Sequence, residues 1–271
     1  EEFTPLRLKK VTKILFKSKT QRDNYPNIPD NKCVVIPHGL DIEEFDSQRD
    51  SIVKNPYLVL NTSSPDRGLR TCMDIVKKAY YKLNEEDRKK LKFSQYYGFD
   101  IWDSDFENDE QMLKWKRDTI AQMDELKQLG VMTEDSGVRI SQTEVTKKYL
   151  GAGVLLYPSE FFEIGYISGI KGLLAGCVPF TTDIFAQGEF IKEGVIVHSD
   201  INYKNWIVQI REGLDYGVKT EEQINKFVDG LVDYIQNPEK YADMRKRLIQ
   251  YAKDNFNWDT TSDSWIKEFN K

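Results

Sequence analysis

Residues 157–183 read YPSEFFEIGYISGIKGLLAGCVPFTTD, and this stretch decides the fold. Residues 154–157 (VLLY) feed it: an apolar run stopped by Pro158 and Ser159, which is the pattern of a buried strand. A turn rich in acidic and small residues, 159–165, leads into Ile167, Ile170, Leu173 and Leu174, spaced as one face of a helix. Gly176 stops that helix, and residues 177–182 read as a second strand. Strand, polar loop, helix and strand make a βαβ unit, whose ligands sit at the loop leaving the strand's carboxyl end. The helix N-terminus there presents unpaired backbone N–H groups and a partial positive charge, which suits a phosphate. Glu163 stands at that mouth, and Lys171 lies eight residues on, about two turns down near the same face.

Working outward, residues 57–61 (YLVLN) are a second buried strand opening into Thr62-Ser63-Ser64-Pro65-Asp66-Arg67-Gly68. A helix follows, with Leu69, Met73, Ile75, Val76 and Ala79 as its apolar positions. Serine hydroxyls, backbone N–H groups and a bidentate arginine suit a phosphate. An ordinary N-cap asks for the same Ser or Asp without any ligand, so both readings stay open. Between these units lie an expected strand over 92–97 ending at Gly98, a charged helix over 108–129, a short strand over 138–141 and a helix over 143–150. Met112, Trp115, Ile120 and Met123 are the long helix's buried stripe. Beyond Asp183 the pattern predicts a helix (185–192), a strand (195–198), helices over 203–216, 220–236 and 238–255, and an amphipathic tail over 258–269. Upstream, residues 11–16 are a strand, Ser18 starts a polar helix, and residues 33–36 are a strand ending in the turn Pro37-His38-Gly39. A lone first strand cannot begin a stable domain, so its partners are missing or it pairs elsewhere. The alternation over 57–216 predicts an α/β doubly wound parallel sheet with helices on both faces and a helical C-terminal tail.

The 271 residues, 39% hydrophobic and 31% charged, allow one or two domains with a sizeable core. A net charge of −5 argues against a general nucleic-acid binder. Cys33, Cys72 and Cys177 are odd in number and widely spaced, with no metal or disulfide pattern, so a reducing, cytoplasmic compartment is expected. There is no signal-peptide pattern and no apolar run of transmembrane length. The chain opens at Glu1 without Met, which implies processing or a piece of something longer. No G-x-G-x-x-G follows a strand, which disfavours a dehydrogenase.

Several of these pieces, in their order along the chain, resemble the nucleotide-binding half of retaining GT-B glycosyltransferases of the family-4, or group 1, type. Val34-Val35-Ile36-Pro37-His38-Gly39-Leu40-Asp41 is similar to the family's V-I-P-N-G-x-D linker. Ser63-Ser64-Pro65-Asp66-Arg67-Gly68-Leu69 is similar to its diphosphate-contacting loop, and Tyr157-Pro158-Ser159 with Glu163, Gly176 and Pro179 to its paired-carboxylate signature. The likeness runs from about residue 9 to the end. It implies a remnant strand, helix and linker over 1–40, a Rossmann-like donor-binding domain over 41–255 and a crossover helix over 256–271. The implied activity is transfer of a hexose-type sugar from a nucleoside-diphosphate sugar to a glycan or other glycoconjugate acceptor, with no metal and no further cofactor.

By the same resemblance Arg67 and Glu163 are the catalytic candidates. Arg67, Ser63 and Ser64 would hold the diphosphate, and Glu163 would sit near the donor sugar's hydroxyls. Backbone N–H groups at Ile164, Gly165 and Tyr166 would meet the phosphates, with Ser168 on the following turn. Ile140 and Ser141 would lie against the nucleobase, and Gly98 is counted with the donor site. Two departures stand out. The family's second Glu, which binds ribose hydroxyls, is Lys171 here, and a cation cannot accept those hydrogen bonds. Lys171 is therefore either a new donor to the ligand or a solvated helix residue of a decayed site. The acceptor domain with the family's active-site histidine is absent; residues 9–26 resemble only its last strand and helix, so an N-terminal domain is an expected partner. His38 and His198 are read as structural rather than as replacements. Trp102, Phe106, Trp206 and Trp258 are either core or an interdomain face. A non-catalytic nucleotide- or partner-binding module with a degenerate site is the competing reading.

Overall fold

The computed structural model describes residues 5–100, 106–201 and 215–270. Its main sheet has five parallel strands among the described residues: β3 (Asn55–Asn61), β4 (Lys92–Gln95), β5 (Ala152–Tyr157), β6 (Val178–Thr182) and β7 (Val195–Val197), in the order β4-β3-β5-β6-β7. The two apolar runs that announce strands in the sequence are thus neighbours, with Leu60 beside Leu155. Every residue of β5 is buried, as a strand covered on both faces requires.

Alternation along the strands distributes the core. Val59, Val154, Leu156, Val178 and Phe180 point to one side, where they meet α4 (Leu69–Lys82), α6 (Glu110–Gln128) and α10 (Glu221–Gln236). Leu60, Leu155 and Tyr157 point to the other, against α7 (Gln142–Gly151), α8 (Ile167–Ala175), α9 (Phe185–Phe190) and α11 (Ala242–Asn255). This is a doubly wound sheet, with α3 (Ile42–Arg49) beside α7 and α5 (Glu85–Lys90) leading into β4. Helix ends carry the expected chemistry. Thr220 and Gln223 form a capping box on α10, and Gly176, in the left-handed region at φ +74°, closes α8.

Several boundaries differ from the sequence reading. The short strand expected over 138–141 does not form, because Val138 is 48% exposed and the segment is a bend leading to α7. Its place at the sheet edge is taken by Met132, which bridges to Phe93. The 92–97 strand stops at Gln95, the helix expected over 185–192 stops at Phe190, and Pro238–Tyr241 is a 3-10 turn ahead of α11. The helix expected over 203–216 lies almost wholly outside the described residues.

The N-terminal strand does find a partner. After α1 (Pro5–Lys9), β1 (Ile14–Phe16) pairs in parallel with β2 (Cys33–Val35) as a separate two-stranded sheet. Between them lies α2 (Lys19–Asp23), whose first backbone N–H groups, on Lys19 and Thr20, donate to the Glu189 carboxylate at 2.8 and 2.9 Å. The linker that follows is fastened to α12 (Trp258–Phe269) by Leu40 N to Phe256 O (2.7 Å) and Trp258 N to Leu40 O (3.0 Å). Gly39 has to be glycine there, since a Cβ would stand 2.5 Å from the Trp258 ring. Trp258 itself stays 55% exposed and Phe106 packs on the core, while Trp102 and Trp206 lie outside the described residues.

The approach of β3 to β5 gives a stability prediction. A Cβ on Gly153 would lie 2.3 Å from the Pro56 carbonyl oxygen, and that backbone cannot swing aside. Gly153→Ala should destabilise the fold by about 1–3 kcal/mol, as overpacked cores do. Urea denaturation reads this directly, and an unchanged midpoint would contradict the packing described.

Candidate functional site

The loops leaving β3 and β5 meet because those strands are neighbours, and they wall a cleft of about 630 Å³. Arg67, at the end of the β3 loop, directs Nη1 to Glu163 Oε1 at 3.0 Å. The same oxygen accepts the Tyr157 hydroxyl at 2.6 Å. Burial first, then the Glu163 charge, push the Tyr157 pKa well up, so its hydroxyl stays a donor. The Arg67 guanidinium lies over the Phe161 ring at 4.0 Å. Its Nε is buried and takes no hydrogen-bond partner among the described residues. An orphaned donor on a cation at a cleft marks the place for an anionic acceptor.

The β5 loop supplies further donors. The Ile164, Gly165 and Tyr166 N–H groups have no hydrogen-bond partner among the described residues. Tyr166 adopts φ +33°, ψ +51°, a left-handed conformation that bulky residues rarely take. It is held by packing. The Tyr157 and Tyr166 rings lie 5.0 Å apart, and Gly169 leaves room for the Tyr166 ring, which a Cβ would meet at 2.1 Å. Ala186 N donates to Glu163 O at 3.1 Å, pinning the loop to α9. Backbone strain of this kind concentrates at functional loops.

The expected residues divide into those the cleft collects and those it does not. Ser63, Ser64, Arg67, Glu163, Ile164, Gly165, Tyr166 and Ser168 line it. Ile140 and Lys171 line an adjoining cavity that shares Ser168. Ser141 lines neither; its Oγ caps α7 by accepting Glu144 N at 3.2 Å. Gly98 also lies outside both linings, and its φ of +78° turns the chain past the Arg139 N–H.

Sequence reasoning missed Thr62, Tyr97 and Phe161 in the cleft, and Tyr157 as the donor that fixes Glu163. An aromatic at a strand's carboxyl end, two residues or fewer from the loop, is the signal that was available for Tyr157 and Tyr97.

His38 has a second position besides its linker turn. It lines the cleft, packed so closely on Gly165 that a Cβ there would fall 2.6 Å from its ring. His198 stands elsewhere, exposed between Asp183 (Nδ1 to Oδ2, 2.6 Å) and Asp200 (Nε2 to Oδ1, 3.0 Å).

This fold is that of a GT-B glycosyltransferase, in its C-terminal Rossmann-like half. TarM of S. aureus, in a complex with fondaparinux, α-GlcNAc-glycerol and UDP, superposes with a TM-score of 0.65 at 14% identity, over 97% of this chain and 45% of TarM. HepE of Anabaena, in complex with UDP and glucose, gives 0.66 at 12% identity, over 99% of this chain and 68% of HepE. Sucrose-phosphate synthase of Thermosynechococcus elongatus gives 0.64 at 11% identity, over 94% of this chain and 57% of that enzyme. The chain therefore spans about half to two thirds of the length of these structures. No family model matches the sequence, and no curated protein does. Among the described residues, no helix is long and apolar enough to cross a membrane.

The two histidines should titrate on opposite sides of the ordinary value. Burial, then the Lys17 charge, hold the His38 imidazole below 6.5, whereas hydrogen bonds to Asp183 and Asp200 raise His198. A His whose folded-state pKa is depressed contributes stability that is complete above the unfolded value and is lost as pH falls through the folded one. His198 contributes in the reverse sense: its stabilisation is complete below the unfolded value and is lost as pH rises through the folded one. NMR titration of the imidazole resonances should give one midpoint below 6.5 that disappears in His38→Gln. A His38 midpoint at or above 6.5 would contradict its burial against Gly165.

Proposed function

We propose that this chain is the donor-binding part of a retaining glycosyltransferase that uses a nucleoside-diphosphate hexose. The observation that carries the reading is Arg67, its Nε without a partner among the described residues, set across the cleft from three backbone N–H groups at residues 164–166 that likewise have none there. The fold and the UDP found with TarM and HepE support it.

Each residue then has a task. Arg67 and the N–H groups before α8 would surround the diphosphate and stabilise the charge that builds as it leaves, using a guanidinium and a helix dipole already held in place. Ser63 and Ser64 would add donors from the β3 loop. Glu163, oriented by Tyr157 and Arg67, would accept hydrogen bonds from the hexose hydroxyls and fix the sugar over the leaving group. The positive charge comes from the protein, so the reading calls for no metal and no cofactor. The adjoining cavity with Ile140 and Lys171 would take the nucleoside end. A glycan or glycoconjugate acceptor would approach from an N-terminal domain docked over β1 and β2, and the cytoplasm is the expected location.

Calorimetric titration with UDP, GDP, ADP and CMP and their sugar conjugates tests the proposal. One nucleotide should bind, and Arg67→Ala should weaken it roughly ten- to hundredfold, the worth of a lost charge-assisted contact. Unchanged affinity in Arg67→Ala would overturn the assignment.

A further inference from the structure

The cavity beside the cleft has an unusual charge pattern. It holds about 380 Å³ and joins the cleft along Thr62, Tyr97, Ile167 and Ser168. The charged side chains lining it are Arg139 and Lys171, and its lining contains no Asp or Glu. Lys171 Nζ donates to the neutral Gln142 Oε1 at 2.8 Å, which leaves two ammonium protons for another acceptor. Neither Lys171 nor Arg139 forms an ion pair among the described residues, in a chain with 44 acidic residues. The cations nearby are matched: Lys147 pairs with Glu144 at 2.7 Å and Lys148 with Asp135 at 2.6 Å. Asp135, which also accepts the Tyr96 hydroxyl, is thereby neutralised. Glu44 acts on Lys171 only from a distance, and its carboxylate takes the Thr146 hydroxyl. A half-buried ammonium with no counter-ion is costly, and an anion brought by a ligand recovers that cost.

We propose that this cavity is an anion subsite, in which Lys171 and Arg139 clasp a phosphate or carboxylate group next to the donor cleft. Resting on the donor reading above, the anion is a second charged group on the ligand's nucleoside end, such as a ribose phosphate. A free phosphate offers the same chemistry without a nucleoside.

Two measurements on the intact chain separate these. Acylation of Lys171 by a limiting amine reagent, followed by mass spectrometry, should slow with added inorganic phosphate at constant ionic strength, while Lys147 is unaffected. Arg139→Gln should abolish that protection. Titration with uridine and adenosine 5′-diphosphates and their 2′- and 3′-phosphorylated forms should show a gain of roughly tenfold from the ribose phosphate, erased in Lys171→Gln. Protection by phosphate with no gain from the ribose phosphate supports the subsite and assigns it to a free anion. Protection with no nucleotide binding at all supports the subsite while removing the donor reading. Nucleoside diphosphates that bind, with neither protection of Lys171 nor a gain, leave the donor reading standing and overturn this proposal.

Discussion

The ion pair between Arg67 and Glu163 joins two loops 96 residues apart in sequence, and the candidate site depends on it. Sheet order is what makes it possible. With β3 beside β5, the loops leaving their carboxyl ends open at the same edge, and a side chain from each can meet. Glu163 is 11% exposed and Arg67 35%, so neither is a freely solvated surface charge. Removing either would leave the other partly buried and uncompensated. Tyr157, from the last position of β5, donates to the same carboxylate oxygen and fixes its direction. The pair therefore does two things at once: it closes the loop face and holds the guanidinium in the wall of the cleft.

Close backbone approaches carry this geometry outward. Trp258 rests on Gly39, His38 on Gly165, and Tyr166 on Gly169, each where a methyl group would collide. Through these contacts the C-terminal helix seats the linker turn, the turn places the His38 imidazole on the β5 loop, and the loop takes its left-handed bend into α8. The first two contacts couple elements remote in sequence to the cleft, so a change at Trp258 is expected to reach His38 by packing alone.

The parts of the fold that were legible were those with a continuous apolar signal. VLLY and YLVLN read as strands because a strand buried on both faces has no polar alternation to blur it. Residues 138–141 imitate a short strand in composition, yet Val138 faces solvent and the sheet edge is completed by Met132, a choice set by tertiary packing. Pairing of β1 with β2 stayed open in the sequence, since a three-residue strand holds no information about its partner. Arg67 and Glu163 were legible because each follows a clear strand end. Arg139 and Gln142 were not: they line one cavity with Lys171 because the bend ahead of α7 and the first turn of α7 come beside α8, which no local pattern records. Ser141 entered the expected site only through the resemblance, as the end of the short strand over 138–141, although a serine before a helix is first of all a cap.

Hydrogen exchange read by mass spectrometry, with and without a nucleoside-diphosphate sugar, tests the central claim most directly. If the paired loops enclose the donor's diphosphate, the peptides covering residues 62–68 and 161–168 will gain protection together, at the same ligand concentration. Binding that protects neither loop, or that protects one and leaves the other exchanging as before, would contradict the account.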